Sequence, residues 1–461
     1  MIFRQWSVWT KCIVVLSTMG FAPVAQADLW RTGYFPGWEQ YTNMPASSID
    51  FSALTHIIHF SLVPKSNGTL DSDVNAVAFS YSTDVVARAH AAGVKVLICV
   101  GGGNTETLFQ RATTPAHLPS FINNLTNFMA ARNYDGIDVD WEPLPTTDFK
   151  KYTNLVYGLR AALNQFPQPK LLTAAVGAYP PSGDPPSDQY LMFADLQSQF
   201  DQINIMTYDL SGPYDGWVTW FNSPVYDGGY RFLSSATLVP SINGSVANFT
   251  NNGVAAGKLG IGVPFYGYVW TGGIGQGGAN LTGPRQAWNK TPTVTAPMYT
   301  SIISNYYQPA LYHWDTNAQA AYLSITNAKA TNNMFISYDD GRASRAKVSY
   351  ARNHGLGGIM IWELALDHTT NAPDPLLQAI KESVAAPGPS KIEYAGEDID
   401  LTFLGISPGS YRILWSNTLA SNSWNALLIT NVPGAGGLLE IQDPGAMTND
   451  PERFYRVQTP P

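Results

Sequence analysis

Short apolar runs that recur along most of the chain constrain its fold more than any other feature of the sequence. Eight of them lie at 32–37, 54–62, 94–101, 136–142, 171–177, 203–208, 259–267 and 358–362. Several are apolar at nearly every position, which is typical of strands covered on both faces in a parallel sheet. Helices fit the segments between them, for example 82–92, 118–132 and 149–165. Eight strand-then-helix units predict an α/β fold, a (β/α)8 TIM barrel, with a doubly wound open sheet as the alternative.

The gap between the seventh and eighth runs is too wide for one helix. Residues 268–335 contain a Gly-rich stretch and then two strand-like segments at 310–315 and 333–338. This pattern predicts a small α+β insertion between strands 7 and 8 of a barrel domain that spans 28–385. Such an insertion on the loop face of a barrel forms one wall of a cleft.

The last part of the chain has a different pattern. A Pro/Gly-rich linker is predicted at 386–390, where the sequence reads Ala-Pro-Gly-Pro-Ser. Beyond it, 391–461 alternates apolar and polar residues in short runs, which indicates a small all-β module. Two interpretations of Trp415 and Trp424 stay open: they bind insoluble glycan, or they lie in the core of the module.

The N-terminal segment 1–27 has the features of a secretory signal peptide. Arg4 and Lys11 precede a short apolar run, and Ala-Gln-Ala supplies a small-x-small cleavage site before Asp28. An uncleaved membrane anchor is the alternative, but Ser, Thr, Gly and Pro interrupt the apolar run. We therefore expect a secreted protein, extracellular or periplasmic, with no membrane attachment after cleavage. Cleavage removes two positive charges and no acid, so the net charge of −8 becomes −10.

Charge and composition narrow the class of partner. The chain has 26 Lys and Arg against 34 Asp and Glu, which argues against nucleic acid and anionic membranes as partners. Charged residues make up 13% of the chain and aromatic residues 12%, which suits a neutral polar ligand such as a sugar. Cys99 is the one thiol left once Cys12 departs with the signal peptide, and the histidines lack metal-ligand spacing. We expect no metal, no cofactor and a monomer.

The acidic strand is the sharpest sign of chemistry. Asp138, Asp140 and Glu142 stand at i, i+2 and i+4, so on a strand all three side chains point to one face. Crowded, buried carboxyls raise at least one pKa, and Glu142 lies nearest the carboxyl end of the strand. A carboxylic acid kept neutral at a barrel mouth can act as a general acid. A calcium loop and a solvated charged strand face are the alternatives, and the interleaved Val139 and Trp141 fit neither well.

The motifs together resemble those of family 18 glycoside hydrolases, the chitinases. Residues 135–142 read Asp-Gly-Ile-Asp-Val-Asp-Trp-Glu and resemble the DxxDxDxE signature, and 206–209 read Met-Thr-Tyr-Asp and match the MxYD segment. Residues 95–102 read Lys-Val-Leu-Ile-Cys-Val-Gly-Gly and are similar to the SxGG segment, and the first, seventh and eighth runs are similar to the corresponding strands of the family. The likeness covers residues 30–370 in order, and 268–335 stands where members with an α+β insertion carry it.

The resemblance implies a mechanism and a set of site residues. Glu142 would protonate the glycosidic oxygen, and the 2-acetamido carbonyl of the sugar itself would attack C1, in the substrate-assisted exception to the two-carboxylate scheme. Asp140 would hold the acetamido N–H, Asp138 would share a proton with Asp140, and Tyr208 would donate to the acetamido oxygen. The remaining substrate-binding residues implied are Asp135, Tyr34, Phe60, Met206, Asp209, Trp141, Tyr266 and Trp362. Five further tryptophans are candidates either for the cleft or for the core: Trp217, Trp220, Trp270, Trp288 and Trp314.

Two departures from the family pattern stand out. Cys99 replaces a Ser that would bond the inner aspartate, and a thiol is a weaker donor. Tyr268 replaces a common Arg, which removes a charged contact on that side of the site. The chain is thus expected to be a chitinase that acts on chitin or chitooligosaccharides. The alternatives are an endo-β-N-acetylglucosaminidase-type enzyme on glycoprotein or cell-wall glycan, and a catalytically silent chitin-binding lectin.

Overall fold

A computed structural model describes residues 29–179, 186–233, 235–327, 332–370 and 372–384 and, further along, 389–395, 398–405, 410–418, 423–431, 437–444, 446 and 453–458. The predicted signal peptide lies outside the described residues. The chain divides into two compact units, one of Ala27–Val384 and another that contains Ala385–Pro461.

The first unit is built on a closed barrel of eight parallel strands. They are Trp30–Pro36, His56–Pro64, Lys95–Gly102, Gly136–Trp141, Leu171–Gly177, Gln202–Met206, Leu259–Pro264 and Gly358–Trp362. Strand 1 pairs with strand 8 from Trp30 opposite Gly358 and with strand 2 from Thr32 opposite His56, so the sheet has no free edge. The predicted (β/α)8 fold is confirmed.

Helices cover the outside of the barrel. The described helices are α1 Phe79–Ala91, α2 Glu106–Ala112, α3 Leu118–Ala131, α4 Phe149–Leu163, α5 Pro186–Leu196, α6 Ile242–Asn251, α7 Tyr299–Asn305, α8 Gly341–Asn353 and α9 Pro375–Val384. Alternate strand residues face them: Val139 and Val176, for example, belong to the large core between sheet and helices, whereas Ala175 belongs to a smaller cluster inside the barrel. This alternation follows from the two-residue period of a strand.

A five-stranded antiparallel sheet lies in the chain between barrel strands 7 and 8. Its order is Thr293–Thr295, Gly267–Thr271, Met334–Tyr338, Ala320–Ile325 and Tyr312–Asp315, and α7 belongs to the same stretch of chain. Directly after the strand Met334–Tyr338, Asp339 forms a buried ion pair with Lys347 of α8, and the ammonium also donates to Ser223 Oγ at 2.6 Å. Burial raises the pKa of Asp339 to about 6 although Lys347 opposes this shift.

The second unit contains two three-stranded antiparallel sheets. One comprises Pro389–Ala395, Asp398–Gly405 and Gly437–Asp443, and the other Ser410–Ser416, Asn425–Asn431 and Phe454–Gln458. The first strand therefore begins inside the stretch predicted as a linker. Trp415 packs against the core of this unit, and the Arg453 guanidinium lies 3.9 Å above its ring. Within the described residues, no helix is both long and apolar enough to span a bilayer.

Candidate active site

A cavity of about 940 Å³ opens at the carboxyl ends of the barrel strands. Eight residues that the sequence assigned to the site line it: Tyr34, Phe60, Asp140, Glu142, Met206, Tyr208, Asp209 and Trp362. Asp140 and Glu142 come from the end of strand 4, and Trp362 ends strand 8, which lies on the opposite side of the barrel. The closed barrel thus brings together residues that are more than 300 positions apart in the chain.

Asp138 lies beneath this cavity and is fully buried. Its carboxylate accepts hydrogen bonds from the Tyr34 hydroxyl at 2.9 Å and from Thr173 Oγ1 at 2.5 Å. The Cys99 thiol, paired in register with Asp138 on the neighbouring strand, adds a third hydrogen bond. Burial raises the pKa of Asp138, and these three donors oppose the rise.

Asp140 and Glu142 are hydrogen-bonded to each other at the mouth of the barrel, and the proton that the resemblance implies between Asp138 and Asp140 stays a prediction. Burial, the charge of Glu142 and the charge of Asp138 raise the pKa of Asp140 well above its usual value. Burial also raises the pKa of Glu142, the hydrogen bond from Asp140 lowers it, and the charge of Asp209 raises it further. The raised pKa values of Asp140 and Glu142 favour retention of a proton by this pair at the mouth of the barrel.

Asp209 is fixed by neutral donors. The Tyr266 hydroxyl donates to its Oδ1 at 2.5 Å, and the Tyr268 hydroxyl donates to the same oxygen at 2.6 Å. The Asp209 backbone has a φ of 55° and its N–H donates to Asn222 Oδ1 at 2.9 Å. Tyr266 thus contributes to the site by holding the Asp209 carboxylate. Tyr268 places a neutral phenol at a position where the family commonly has the guanidinium of an Arg.

Aromatic side chains form the two ends of the cavity. The ring of Trp362 lies 4.9 Å from Phe60 in an edge-to-face arrangement and 5.5 Å from Tyr34. Tyr208 is buried, its hydroxyl contacts the Met360 sulfur at 3.7 Å, and burial keeps its pKa well above 10, so it remains a hydrogen-bond donor. The other end of the cavity is lined by Tyr179, Tyr214, Trp217 and Phe232. Flat apolar rings on both sides of the acids suit the faces of a row of sugar rings.

The candidate tryptophans separate by burial. Trp217 is half-buried and lines the cavity, whereas Trp220 and Trp270 are among the largest fully buried side chains. Trp314 lies under the Arg342 guanidinium at 4.0 Å, and Trp288 packs beside Trp270 at 5.9 Å. Of the five, Trp217 is the one that lines the described cavity.

Two predicted site residues lie elsewhere. Asp135 precedes strand 4 at its amino end, about 20 Å along the strand direction from Glu142, and does not line the cavity. Burial alone would raise its pKa, but hydrogen bonds from the Val96 N–H, His90 and Lys95 outweigh burial and lower it. Trp141 points to the outer side of the strand, where it stacks on Phe109 at 4.5 Å and lines a separate cavity.

Besides residues of the cavity wall such as Tyr179, Tyr214 and Phe232, the sequence analysis missed three hydrogen-bond partners of site residues. Thr173 is opposite Asp138 in the register of strands 4 and 5, so the predicted strand 171–177 contained the signal, although register itself was not predictable. Asn222 lies in the long connection after strand 6 and has no motif around it. Met360 lies in the predicted eighth strand, but nothing in its apolar run distinguishes it.

Comparison with known proteins decides the family. The family model of glycosyl hydrolases family 18 matches residues 31–367, which is well over half of the chain. This chain belongs to glycosyl hydrolases family 18. A class V chitinase of Arabidopsis thaliana is 26% identical to this family 18 hydrolase over 382 residues, which cover 80% of this chain and 96% of that protein. Chitinase A1 of Niallia circulans is 31% identical over 308 residues, 61% of this chain and 42% of that protein.

The solved structures agree on the fold of this family 18 hydrolase. The group IV chitinase of Ostrinia furnacalis in complex with allosamidin matches with a TM-score of 0.65 at 24% identity, and covers 78% of this chain and 99% of that structure. At this identity the likeness shows a shared fold. The family assignment and the intact acidic strand make the protein a glycoside hydrolase of the chitinase-like type.

Proposed function

We propose that the protein is a secreted chitinase that hydrolyses β-1,4 linkages of N-acetylglucosamine polymers with retention of configuration. The observation that carries this proposal is the hydrogen-bonded Asp140–Glu142 pair, with both pKa values raised, at the centre of an aromatic-lined cavity. The names of the curated relatives, a class V chitinase and chitinase A1 among them, support chitin as the polymer. The signal-like sequence at 1–27 supports export, with Asp28 as the expected first residue.

In the first step of the proposed mechanism, the proton of the pair moves onto the glycosidic oxygen. Glu142 delivers it as the C1–O bond breaks, and the electron pair of that bond leaves with the departing sugar. The acetamido carbonyl oxygen of the bound sugar forms a new bond to C1, which gives an oxazolinium ion. Asp140, left anionic, accepts the acetamido N–H, and its charge stabilises the cation.

The second step restores the enzyme. A water oxygen bonds to C1 as the bond to the acetamido oxygen breaks, and the proton of the water passes to Glu142. C1 is inverted twice, so the product keeps the β configuration. Tyr208 assists both steps, because a phenol that stays protonated can donate to the acetamido oxygen and hold it against C1. This mechanism requires an N-acetylated sugar at the cleaved position.

The decisive experiment measures products from the N-acetylglucosamine hexamer by mass spectrometry. We expect the native chain to cleave it and Glu142→Gln to lose activity by a factor of about 10² or more, the usual contribution of a general acid. Glu382→Gln is the matched control, since Glu382 lies on α9 in an exposed ion pair with Arg345. NMR of the first products should show the β anomer. Binding of an intact hexamer would instead indicate a lectin, and inertness toward the hexamer would point to glycoprotein or cell-wall glycans.

A further inference from the structure

A second, smaller cavity lies behind the catalytic acid. Its volume is about 220 Å³, and its walls come from the end of strand 4, from Tyr152 of α4 and from Phe193 of α5. We call it the back cavity. Val176, which faces the helices rather than the barrel interior, also lines it. The back cavity is thus between the sheet and the helices, on the far side of Glu142 from the substrate cleft.

The two cavities meet at the catalytic acid. Residues that line both are Glu142, Ala175, Gly177, Tyr179 and Met206. Two of them are small, because Gly177 has no side chain and Ala175 carries a single methyl group. Glu142 therefore borders both the cleft and the back cavity.

Two hydrogen-bond donors in the wall of the back cavity have no acceptor among the described residues. They are Trp141 Nε1 and the Tyr152 hydroxyl, on side chains that are 3% and 1% exposed. A buried donor that makes no hydrogen bond lowers the free energy of unfolding by about 1–3 kcal/mol. Nearly all buried donors in native proteins therefore bond to another protein group or to ordered water. A water molecule needs about 10–15 Å³ of cavity volume and two to four polar partners. A cavity of about 220 Å³ therefore has room for several water molecules.

We propose that the back cavity is a bound-water site that supplies the hydrolytic water to Glu142 while an oligosaccharide occupies the cleft. This rests on the proposed function. Trp141 Nε1 and the Tyr152 hydroxyl donate to the waters, and the Glu142 carboxylate accepts from the one that reacts. That water forms its bond to C1 of the oxazolinium ion, the bond to the acetamido oxygen breaks, and its proton goes to Glu142.

The proposal makes the back cavity a determinant of the fate of the intermediate. A hydroxyl group of a second sugar, which competes with water for C1, must enter through the cleft. Water enters from the back cavity instead. Changes in the back cavity should therefore alter the partition between hydrolysis and transglycosylation. They should leave the rate of the first bond cleavage unchanged, since that step consumes no water.

The first test is structural and independent of activity. We expect a crystal structure of the unliganded protein to contain ordered waters within hydrogen-bond distance of Trp141 Nε1 and of the Tyr152 hydroxyl. A structure that resolves other buried waters and has no density at these two positions would overturn the proposal. A native chain that cleaves nothing would overturn the proposed function and the supply role with it, and the water density would still decide the binding site.

The second test uses two variants with matched controls. Val176→Met fills the back cavity with a flexible side chain, and Tyr152→Phe removes one donor without a change of shape. Val263→Met and Tyr190→Phe make the same substitutions at buried positions that line neither cavity; the Tyr190 hydroxyl bonds to Asn248 at 3.1 Å.

The measurement is the ratio of longer to shorter products from the N-acetylglucosamine tetramer. We expect both back-cavity variants to raise this ratio about two- to tenfold, Tyr152→Phe because a hydrogen bond to the bound water is lost and Val176→Met because the water is displaced. Both controls should leave the ratio unchanged. An unchanged ratio in Tyr152→Phe and Val176→Met, with native melting temperatures, would refute water supply from this cavity. If Val176→Met fails to fold, Tyr152→Phe alone decides the outcome.

Discussion

Tyr268 provides a test of how charge at the edge of the site controls the catalytic proton. The Asp209 carboxylate raises the pKa of Glu142, and both side chains that donate to Asp209 Oδ1 are neutral phenols. Tyr268→Arg places a cation in contact with that carboxylate and cancels part of its field at Glu142. The proton of the Asp140–Glu142 pair then dissociates at lower pH, so the alkaline limb of the activity profile moves to lower pH.

The size of the shift follows from the order of influences on Glu142. Burial acts most strongly, the hydrogen bond from Asp140 comes second, and Asp209 contributes least of the three. Adjacent charges shift a carboxyl by about 1–3 pKa units, and Asp209 acts through a greater separation and with only part of its charge cancelled. We therefore expect a shift of about 0.5–1 unit, equivalent to about 0.7–1.4 kcal/mol.

The assay is the pH dependence of kcat/KM on the tetramer, which reports the groups of the free enzyme. Tyr268→Phe is the control, because it removes the hydrogen bond to Asp209 without adding charge and should leave the limb in place while kcat/KM falls. An alkaline limb of Tyr268→Arg that stays in place or moves to higher pH would refute the electrostatic argument. Melting temperatures across the same pH range separate this effect from unfolding.

Polar groups of the barrel unit give three further expected outcomes. Thr173→Val removes a donor from the Asp138 carboxyl and should cost about 1.5–3 kcal/mol of unfolding free energy in urea titrations; native stability would contradict that hydrogen bond. Lys347→Ala leaves Asp339 buried without its cation, and we expect the free energy of unfolding to fall by about 3–5 kcal/mol in thermal unfolding. Native stability of this variant would show that the ion pair does not form in solution. Asp135→Asn should keep native kcat but lose stability at neutral pH. The pKa of Asp135 is lower in the folded protein than in the unfolded chain, so its carboxylate stabilises the fold at pH values above the unfolded pKa. The difference in stability between the native chain and the variant should vanish as the pH falls through the pKa of Asp135 in the folded protein.

The sequence was sufficient for the architecture because buried parallel strands have a strong local signature. The predicted run 171–177 coincides with a barrel strand, and the predicted 358–362 does as well. The alternation of Asp138, Asp140 and Glu142 likewise placed three acids on one face. What depends on pairing between distant segments was not accessible in this way. Thr173 reaches Asp138 through strand register, which no single-strand pattern fixes.

Position along a strand and the path of the loops decide which of the candidate residues reach the site. Asp135 is part of the same motif as Glu142, but it stands seven residues earlier, at the amino end of the strand and away from the carboxyl ends where the cavity opens. Trp217 and Trp220 stand three residues apart, yet one lines the cavity and the other is buried, since the long loop after strand 6 determines their burial. Asn222 lies in the same loop and accepts a hydrogen bond from the Asp209 N–H. Contacts made by irregular loops follow neither the helix nor the strand period, so the sequence pattern does not predict this one.

The burial of Cys99 makes this thiol a reporter of how the barrel opens. Its side chain is fully buried beside Asp138, and burial together with that neighbouring charge raises its pKa well above the usual value. Alkylation requires an accessible thiolate, so in the folded protein it must wait for the barrel interior to become exposed. Once the N-terminal segment with Cys12 is removed, a maleimide pulse would label a single position. Its rate would then measure the opening equilibrium of the catalytic core without any engineered probe.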